Sequence, residues 1–267
     1  MFERQERSVP EGKKVYFASD FHLGIEGRFS SREREKLLLQ WLEIIEKDAF
    51  IIFLVGDIFD YWYEYKKVVP KGYVRLLGKL ALLQDAGIEI VFFTGNHDMW
   101  MFRYFQEELG ILLFKNPVKW TLNGKSFLIG HGDGLGPGDY GYKVIKKLFN
   151  HPVLQWLFAR LHPNTGIWLM QFFSGSSRPF YSSETWNEKK EWLVQYCESR
   201  IAVEHTDYFV FGHRHLVIDY TLSNGISRYL NLGDWIHYFT YGVFDGTSMQ
   251  ICFFLDGEES LISNKVM

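Results

Sequence analysis

The sequence predicts an α/β fold in which two β-sheets pack face to face, helices flank the sheets, and a helical segment is inserted between the halves of the chain. Three observations predict it. Strand-sized apolar runs alternate with helical segments in the first half. Short strands separated by turn signals fill much of the second half. An aromatic and basic segment of about fifty residues lies between them.

The first half contains three predicted strands and two predicted helices. The strands are short apolar runs that lead into polar loops, at Val15–Ser19, Phe50–Val55 and Ile88–Thr94. The helix at 33–45 has apolar residues at helical spacing, and the helix at 72–86 stops at Gly87. This strand–loop–helix order favours an α/β sheet.

The second half is dominated by short strands. A hairpin is predicted at Lys119–Leu122 and Ser126–Gly130, because Asn123-Gly124 suits a tight turn. A further amphipathic helix is predicted around 184–192. The remaining strands are predicted at 209–211, 217–221, 228–232, 241–244 and 249–254.

The inserted segment is predicted to be helical and to run from Gly134 to Ser183, leaving residues 1–133 and 184–267 as one catalytic domain. Apolar residues at helical spacing most often belong to a core. Fifty residues cannot bury so many rings by themselves, however, so the segment must dock on the catalytic domain, on a second subunit or on lipid. Its basic residues would suit an anionic membrane surface; they are Lys143, Lys146, Lys147, Arg160 and Arg178.

The composition excludes several classes of protein. A net charge of −3 over 267 residues gives no basis for nucleic-acid binding. Two cysteines cannot form a disulfide framework, which favours a reducing, cytoplasmic setting. The polar N-terminus has no signal-peptide pattern, and no apolar run reaches the ~20 residues that a membrane span needs. Any contact with a membrane is therefore expected to be peripheral.

Five short motifs at the ends of predicted strands contain the candidate chemistry. Carboxylates, an amide and imidazoles are ligands that suit Mn²⁺, Fe or Zn²⁺, and sites in open α/β sheets lie beyond the carboxyl ends of strands. The glycines before the ligands are expected to let the backbone turn sharply. The motifs are Asp20-Phe21-His22, Gly56-Asp57-Ile58-Phe59-Asp60, Gly95-Asn96-His97-Asp98, Gly130-His131-Gly132-Asp133 and Gly212-His213-Arg214-His215.

One carboxylate among them, Asp57, could bridge two ions held ~3.5–4 Å apart, which is the spacing used for phosphoester hydrolysis. Two such cations lower the pKa of a water and neutralise the charge that develops at phosphorus. The sequence therefore predicts a two-metal hydrolase.

In their order along the chain, the five motifs resemble those of the calcineurin-like metallophosphoesterase superfamily, whose fold is a two-sheet sandwich. The resemblance covers Asp20 to His215. It implies that one metal is held by Asp20, His22, Asp57 and His215, and the other by Asp57, Asn96, His131 and His213. It also implies that His97, held by Asp98, contacts the phosphate or assists the leaving group.

Within the superfamily, the motifs are most similar to those of the UDP-2,3-diacylglucosamine pyrophosphatases of lipid A biosynthesis, on account of Gly56–Trp62 and of His131-Gly132-Asp133 followed by a helical lid. The resemblance implies Mn²⁺-dependent hydrolysis to a lipid monophosphate and UMP, at the inner-membrane surface. His97 stands where well-known members have Arg. Another nucleotide diphosphate compound, a phosphodiester or a phosphoprotein is therefore an alternative substrate.

Other interpretations apply to single residues and to the whole chain. Asp60 either orients a metal ligand or caps a helix, and Asp133 has a similar ambiguity. A non-catalytic binding module would be expected to have lost ligands, whereas every motif here is complete. Four further histidines are expected to be structural, namely His151, His162, His205 and His237.

Overall fold

A computed structural model describes residues 2–137, 140–177, 186–188, 190–255 and 258–261. Two sheets form its central layers. The first has six strands, in the order β1 (Arg4–Arg7), β6 (Val118–Leu122), β7 (Lys125–Ile129), β8 (Tyr208–Phe211), β10 (Arg228–Leu232) and β9 (Val217–Thr221). The second has seven, in the order β13 (Glu258–Leu261), β12 (Met249–Leu255), β11 (Thr240–Phe244), β2 (Lys14–Ala18), β3 (Ala49–Val55), β4 (Glu89–Phe93) and β5 (Leu112–Phe114).

Helices cover the outer faces of the sheets and fill the inserted segment. The seven helices of the described residues are α1 (Ser31–Ile45), α2 (Val74–Asp85), α3 (Tyr104–Leu109), α4 (Tyr140–Phe149), α5 (Pro152–Phe158), α6 (Pro163–Ser177) and α7 (Trp192–Ile201). Helix α1 begins with a capping box, in which the Ser30 side chain accepts from the Glu33 amide and the Glu33 carboxylate accepts from the Ser30 amide. No helix among these residues is long and apolar enough to cross a membrane.

Stacked aromatic side chains join the two sheets. Phe17 of β2 stacks on Phe53 of β3 at 5.0 Å between ring centroids, and on Phe127 of β7, in the other sheet, at 6.0 Å. All three rings are fully buried. Burying large rings in this way is strongly favourable. The predicted two-sheet α/β sandwich is confirmed.

Most predicted elements lie within two residues of the observed ones. The helix predicted at 184–192 is wrong in position: residues 186–188 and 190 are not helical, and α7 begins at Trp192. Strand β1, helix α3 and strand β5 were not predicted. Gly138, Arg178 and the predicted boundary at 183/184 lie outside the described residues.

The inserted segment exposes much of its apolar surface to solvent. Helices α4 to α6 lie between β7 and α7 in the chain. Phe149 and Phe158 pack on Trp100, at 5.3 and 4.7 Å between ring centroids. Many other large apolar side chains here are exposed: Tyr140, Val144, Ile145, Leu148, Val153, Leu154, Trp156, Leu157, Leu161 and Trp168.

Candidate metal centre

Seven candidate ligands come together at one edge of the two sheets. Strands β2, β3 and β4 pair in parallel in one sheet, and β7 and β8 pair in parallel in the other. The loops that follow their carboxyl ends are therefore neighbours. These loops contain Asp20, His22, Asp57, Asn96, His131, His213 and His215.

The first group of ligands surrounds the Nε2 atom of His22. This atom lies 3.7 Å from Asp20 Oδ1, 3.7 Å from Asp57 Oδ2 and 3.2 Å from Nε2 of His215. The His215 Nε2 atom is in turn 3.4 Å from Asp20 Oδ1. These four side chains are the set that the resemblance implies for one metal.

The second group shares Asp57 with the first. Asp57 Oδ2 lies 3.2 Å from Nε2 of His131, and that nitrogen lies 3.2 Å from Oδ1 of Asn96. The same Asn96 oxygen is 2.9 Å from Nδ1 of His213. Asp57 therefore lies between the two groups, in the position of a bridging ligand.

The donor set fits divalent cations. The Asp20 and Asp57 side chains are almost completely buried, and Asp20 Oδ1 accepts no hydrogen bond from the described residues. The Nδ1 atoms of His22 and His215 each face a carboxylate, of Asp60 at 3.5 Å and of Asp234 at 3.0 Å. A carboxylate beside Nδ1 orients each ring with its Nε2 toward the other ligands. Carboxylate oxygens and imidazole nitrogens gathered in this way form a donor set that divalent cations prefer.

The electrostatics of the buried groups point the same way. Burial opposes a charge on His22, but the carboxylates of Asp20 and Asp60 outweigh it and raise the pKa of His22 to about 10. Burial likewise opposes a charge on His131, but Asp57 raises its pKa to about 10. The negative charge beside His22 and His131 therefore attracts protons onto these two imidazoles, and divalent cations would compete for the same positions.

The backbone at the ligands is strained. Among the described residues, eight other than glycine have positive φ, and five of them are candidate ligands: Asp20 (56°), His22 (43°), Asp57 (52°), His213 (70°) and His215 (50°). This left-handed region is costly for residues with a Cβ, and such strain concentrates at functional sites.

Of the glycines before the ligands, Gly56 has the expected role, whereas Gly95 and Gly212 have a different one. Gly56 does turn the chain, with φ of 84°. Gly95 and Gly212 have no positive φ; a Cβ at Gly95 would collide with the Asp57 carboxylate, and one at Gly212 with that of Asp20. These two glycines make room for the ligands.

His97 is held by Asp60, and the expectation that Asp98 holds it is wrong. The Nδ1 atom of His97 lies 3.1 Å from the Asp60 carbonyl oxygen and 3.3 Å from its carboxylate. Asp98 instead accepts hydrogen bonds from the amides of Gly95 at 2.7 Å and Ile58 at 2.9 Å. Asp60 thus contacts both His22 and His97, which favours the orienting role over a helix cap.

Asp133 contacts the inserted segment. Its carboxylate lies 2.5 Å from Nζ of Lys146 and accepts a hydrogen bond from the Tyr142 hydroxyl at 2.6 Å. Both partners belong to α4, so Asp133 attaches this helix to the loop that holds His131.

Sequence reasoning did not find two buried charged residues beside the site. Asp234 follows strand β10 and Gly233, and so repeats the strand-Gly-Asp pattern of Val55-Gly56-Asp57; this signal could have revealed it. Its carboxylate also accepts from the ring of His237 at 3.0 Å. Arg34 of α1 is fully buried and donates to the carbonyls of His22, Ile25 and Phe29, and nothing in its helical pattern indicates this role.

The fold and site define a class of protein, and comparison with known proteins agrees. The model of the calcineurin-like phosphoesterase family matches residues 13–217, and the chain belongs to this family. The resemblance seen in the five motifs is therefore confirmed.

Curated relatives are similar over most of their length. A UDP-2,3-diacylglucosamine hydrolase of Porphyromonas gingivalis is 39% identical over 255 residues, which cover 88% of this chain and 95% of the relative. An enzyme of the same name from Aeromonas salmonicida is 26% identical over 226 residues, covering 82% and 85%. Among solved structures, the phosphoesterase Yfce of E. coli is 17% identical, with a TM-score of 0.47 and coverage of 94% and 97%.

Proposed function

We propose that this chain hydrolyses the pyrophosphate bond of UDP-2,3-diacylglucosamine to a lipid monophosphate and UMP. The observation that carries the proposal is a cluster of two ligand groups that share Asp57. The cluster lies in a chain that is 39% identical, over 88% of its length, to a relative named for this hydrolysis. In the reaction, water adds to one phosphorus and the bond from that phosphorus to the bridging oxygen breaks.

The proposed ligands are those that the two groups contain: Asp20, His22, Asp57 and His215 for one ion, and Asp57, Asn96, His131 and His213 for the other. Two divalent ions, which we take to be Mn²⁺ with Fe or Zn²⁺ as alternatives, would supply a water of lowered pKa and positive charge beside the phosphate oxygens. Asp234 accepts a hydrogen bond from Nδ1 of His215 at 3.0 Å, and the Asp60 carboxylate lies 3.5 Å from Nδ1 of His22, so each Nε2 would be directed into the site.

His97 is the proposed contact to the reacting phosphate or leaving group. Because Asp60 holds its Nδ1 atom, the ring would reach the substrate through Nε2. A positioned imidazole can stabilise a developing charge or donate a proton to a departing oxygen. Asp98 contributes indirectly, since it accepts hydrogen bonds from the amide of Ile58, next to Asp57, and from the amide of Gly95, next to Asn96.

We place the acyl chains and the membrane at the inserted segment, residues 134–183. Its exposed apolar side chains include Trp156 (56% exposed), Leu157 (51%) and Trp168 (62%), and Arg160 lies over the Trp156 ring at 4.4 Å. Each CH₂ group removed from water contributes ~0.8 kcal/mol. A peripheral position at the cytoplasmic face of the inner membrane follows from the substrate. The same rings would also suit contact with a second copy of the chain.

The function is tested by release of UMP from UDP-2,3-diacylglucosamine in the presence of Mn²⁺, with Asp57→Ala as the matched variant. Release by the wild type and none by the variant is the expected result. Hydrolysis of bis(p-nitrophenyl) phosphate without any UMP release would support a two-metal hydrolase and would refute UDP-2,3-diacylglucosamine as its substrate. Failure of the wild type on both compounds would overturn the catalytic proposal.

The membrane role is tested by flotation with vesicles of phosphatidylethanolamine and phosphatidylglycerol. Leu157→Glu is expected to reduce flotation, because it places a charge on the apolar face of α5. Leu82→Glu is the control, since Leu82 is 66% exposed on α2, outside the inserted segment. Equal flotation of the two variants would show that the inserted segment does not contact the membrane.

A further inference from the structure

A cavity of about 650 Å³ lies beside the second ligand group. His131, one of the candidate ligands, forms part of its wall. The other walls come from the loop after β5, the loop after β7 and helix α4. A volume of this size is typical of small-molecule sites.

The charge of the cavity wall is strongly positive. Four lysines line it, Lys115, Lys143, Lys146 and Lys147, against a single carboxylate, that of Asp133. Lys146 is paired with Asp133 at 2.5 Å. The Lys143 ammonium donates to the Gly136 carbonyl at 2.6 Å and lies over the Tyr140 ring at 5.7 Å, and it makes no ion pair within the part of the chain that the structure describes. Lys147 is exposed and makes no ion pair with the described residues. A phosphate group would complement this surplus.

The uncharged part of the wall suits a flat, partly polar ring. Phe93, Pro117 and Val144 provide apolar surface, and Asn116 provides an amide with both a donor and an acceptor. Ligand sites commonly combine mainly apolar walls with a few placed polar groups. A nucleoside monophosphate has both of the features that this wall can bind, a planar base and a dianionic phosphate.

We propose that this cavity binds the nucleoside monophosphate half of a nucleotide diphosphate substrate, with Lys115 and Lys147 as contacts to its sugar oxygens. The inference rests on the proposed function, and it assigns UMP to one side of the metal site. Lys115 lies in the loop that follows β5 and lines the cavity, and its ammonium also lies over the Phe102 ring at 4.6 Å.

The lipid half fits the cavity less well than it fits the neighbouring surface. Helices α5 and α6 contact a separate aromatic cluster that includes Tyr63 and Trp100, and Phe158 lies 4.8 Å from Tyr63 between ring centroids. The exposed apolar side chains Leu157 and Trp168 are on these helices, whereas the lysines of the cavity are on α4 and the β5 loop. The side of the site formed by α4 and the β5 loop therefore combines lysines with apolar residues, whereas the side formed by α5 and α6 exposes mainly apolar residues.

The test measures binding of UMP and of inorganic phosphate to the Mn²⁺-loaded protein by isothermal titration calorimetry. Lys115→Ala and Lys147→Ala are each expected to weaken UMP about tenfold, the effect of losing one charge-assisted hydrogen bond, and to leave phosphate affinity unchanged. Lys147→Arg is expected to restore UMP binding. Lys47→Ala, an exposed lysine after α1, is the control and should bind UMP like the wild type.

Two outcomes would overturn the subsite. One is UMP affinity that is unaffected by both alanine variants. The other is an equal loss of UMP and phosphate affinity, since that would show that these lysines attract any anion and do not contact the sugar. Hydrolysis of UDP-2,3-diacylglucosamine is measured separately on the same variants. UMP binding that depends on these lysines, in a protein that does not hydrolyse the lipid substrate, would keep the subsite and reject the proposed function. Hydrolysis of the lipid substrate by a protein whose UMP affinity does not depend on these lysines would support the proposed function and reject the subsite.

Discussion

The carboxylate of Asp234 accepts a hydrogen bond from Nδ1 of His215 at 3.0 Å, while Nε2 on the other side of the same ring lies 3.2 Å from Nε2 of His22. The carboxylate therefore fixes both the orientation of the ring and the nitrogen that carries the proton. A candidate ligand of the metal centre thus depends on a residue that contributes no atom to the centre itself.

Asp234→Asn is expected to weaken Mn²⁺ binding by about 10–100-fold with little change in melting temperature. The remaining oxygen can still accept from the amides of Ile236 and His237, as Oδ1 does now, but an amide group would face the His215 N–H in place of Oδ2. Metal titration followed by electron paramagnetic resonance measures the affinity. Asp245→Asn, in an exposed turn where Asp245 also accepts backbone amides, is the control. Equal affinities for the two variants would contradict the role of Asp234.

His97→Ala is expected to lower kcat by on the order of 10²–10⁴, with unchanged Mn²⁺ affinity and unchanged stability. The ring contacts Asp60 at its Nδ1 atom and belongs to neither of the two proposed ligand sets, although its atoms lie close enough to His22 and Asp60 to form a third group. His205→Ala removes an exposed histidine that lies 3.5 Å from Asp207, and it should leave kcat unchanged. A loss of metal affinity in His97→Ala would instead make His97 a ligand.

The stability of the metal-free protein is expected to depend on pH through Asp98. Burial, with Asp57 nearby, raises the pKa of Asp98 to about 7, from 3.8 in the unfolded chain. Between these values the folded state binds more protons than the unfolded state, so this group's contribution to the free energy of unfolding falls as the pH rises from about 4 to 7. Urea unfolding in chelator at several pH values measures it. Asp98→Asn should flatten the dependence in this range, and an unchanged slope would refute the assignment.

Arg34→Met is expected to reduce the free energy of unfolding by about 3 kcal/mol. The substitution keeps the buried stem and removes the donors to the carbonyls of His22, Ile25 and Phe29. Metal affinity should also fall, because His22 lies in the loop that Arg34 holds. Arg32→Met, at an exposed position of the same helix, is the comparison. A shift of similar size in both variants would show a general effect on α1.

Removal of divalent ions is expected to lower the melting temperature. An ion that binds only the folded state stabilises it by about 2.7 kcal/mol at one hundred times its Kd. Without ions, the buried carboxylates of Asp20 and Asp57 lie close together beside the same imidazole. Scanning calorimetry with EDTA and with increasing Mn²⁺ measures the change. A melting temperature independent of Mn²⁺ would contradict a metal centre built from these residues.

The strands and the ligand residues were predictable because each is encoded locally. An apolar run that ends in a short polar motif predicts both the strand and the position of its functional side chain. Phe50–Val55 before Gly56-Asp57 is an example. Strand β1 was not predictable in this way, because Arg4–Arg7 is entirely polar and pairs with β6 across more than a hundred residues of chain.

The partners of the ligands could not be assigned from sequence neighbours. Asp98 is adjacent to His97 in the chain, yet its carboxylate bonds to backbone amides, and Asp60, from the preceding strand-end loop, holds the ring. Which carboxylate meets which imidazole depends on how the strand-end loops pack together. A linear pattern does not contain that information.

The left-handed backbone at Asp20, His22, Asp57, His213 and His215 has a consequence for the evolution of the chain. Each such residue costs on the order of 1–2 kcal/mol relative to glycine. Keeping these side chains in place therefore lowers the free energy of unfolding of the protein. A descendant released from selection for hydrolysis could exchange a ligand for glycine and become harder to unfold while losing activity. Inactive members of this lineage would then be recognisable by glycines at these positions and by greater thermal resistance.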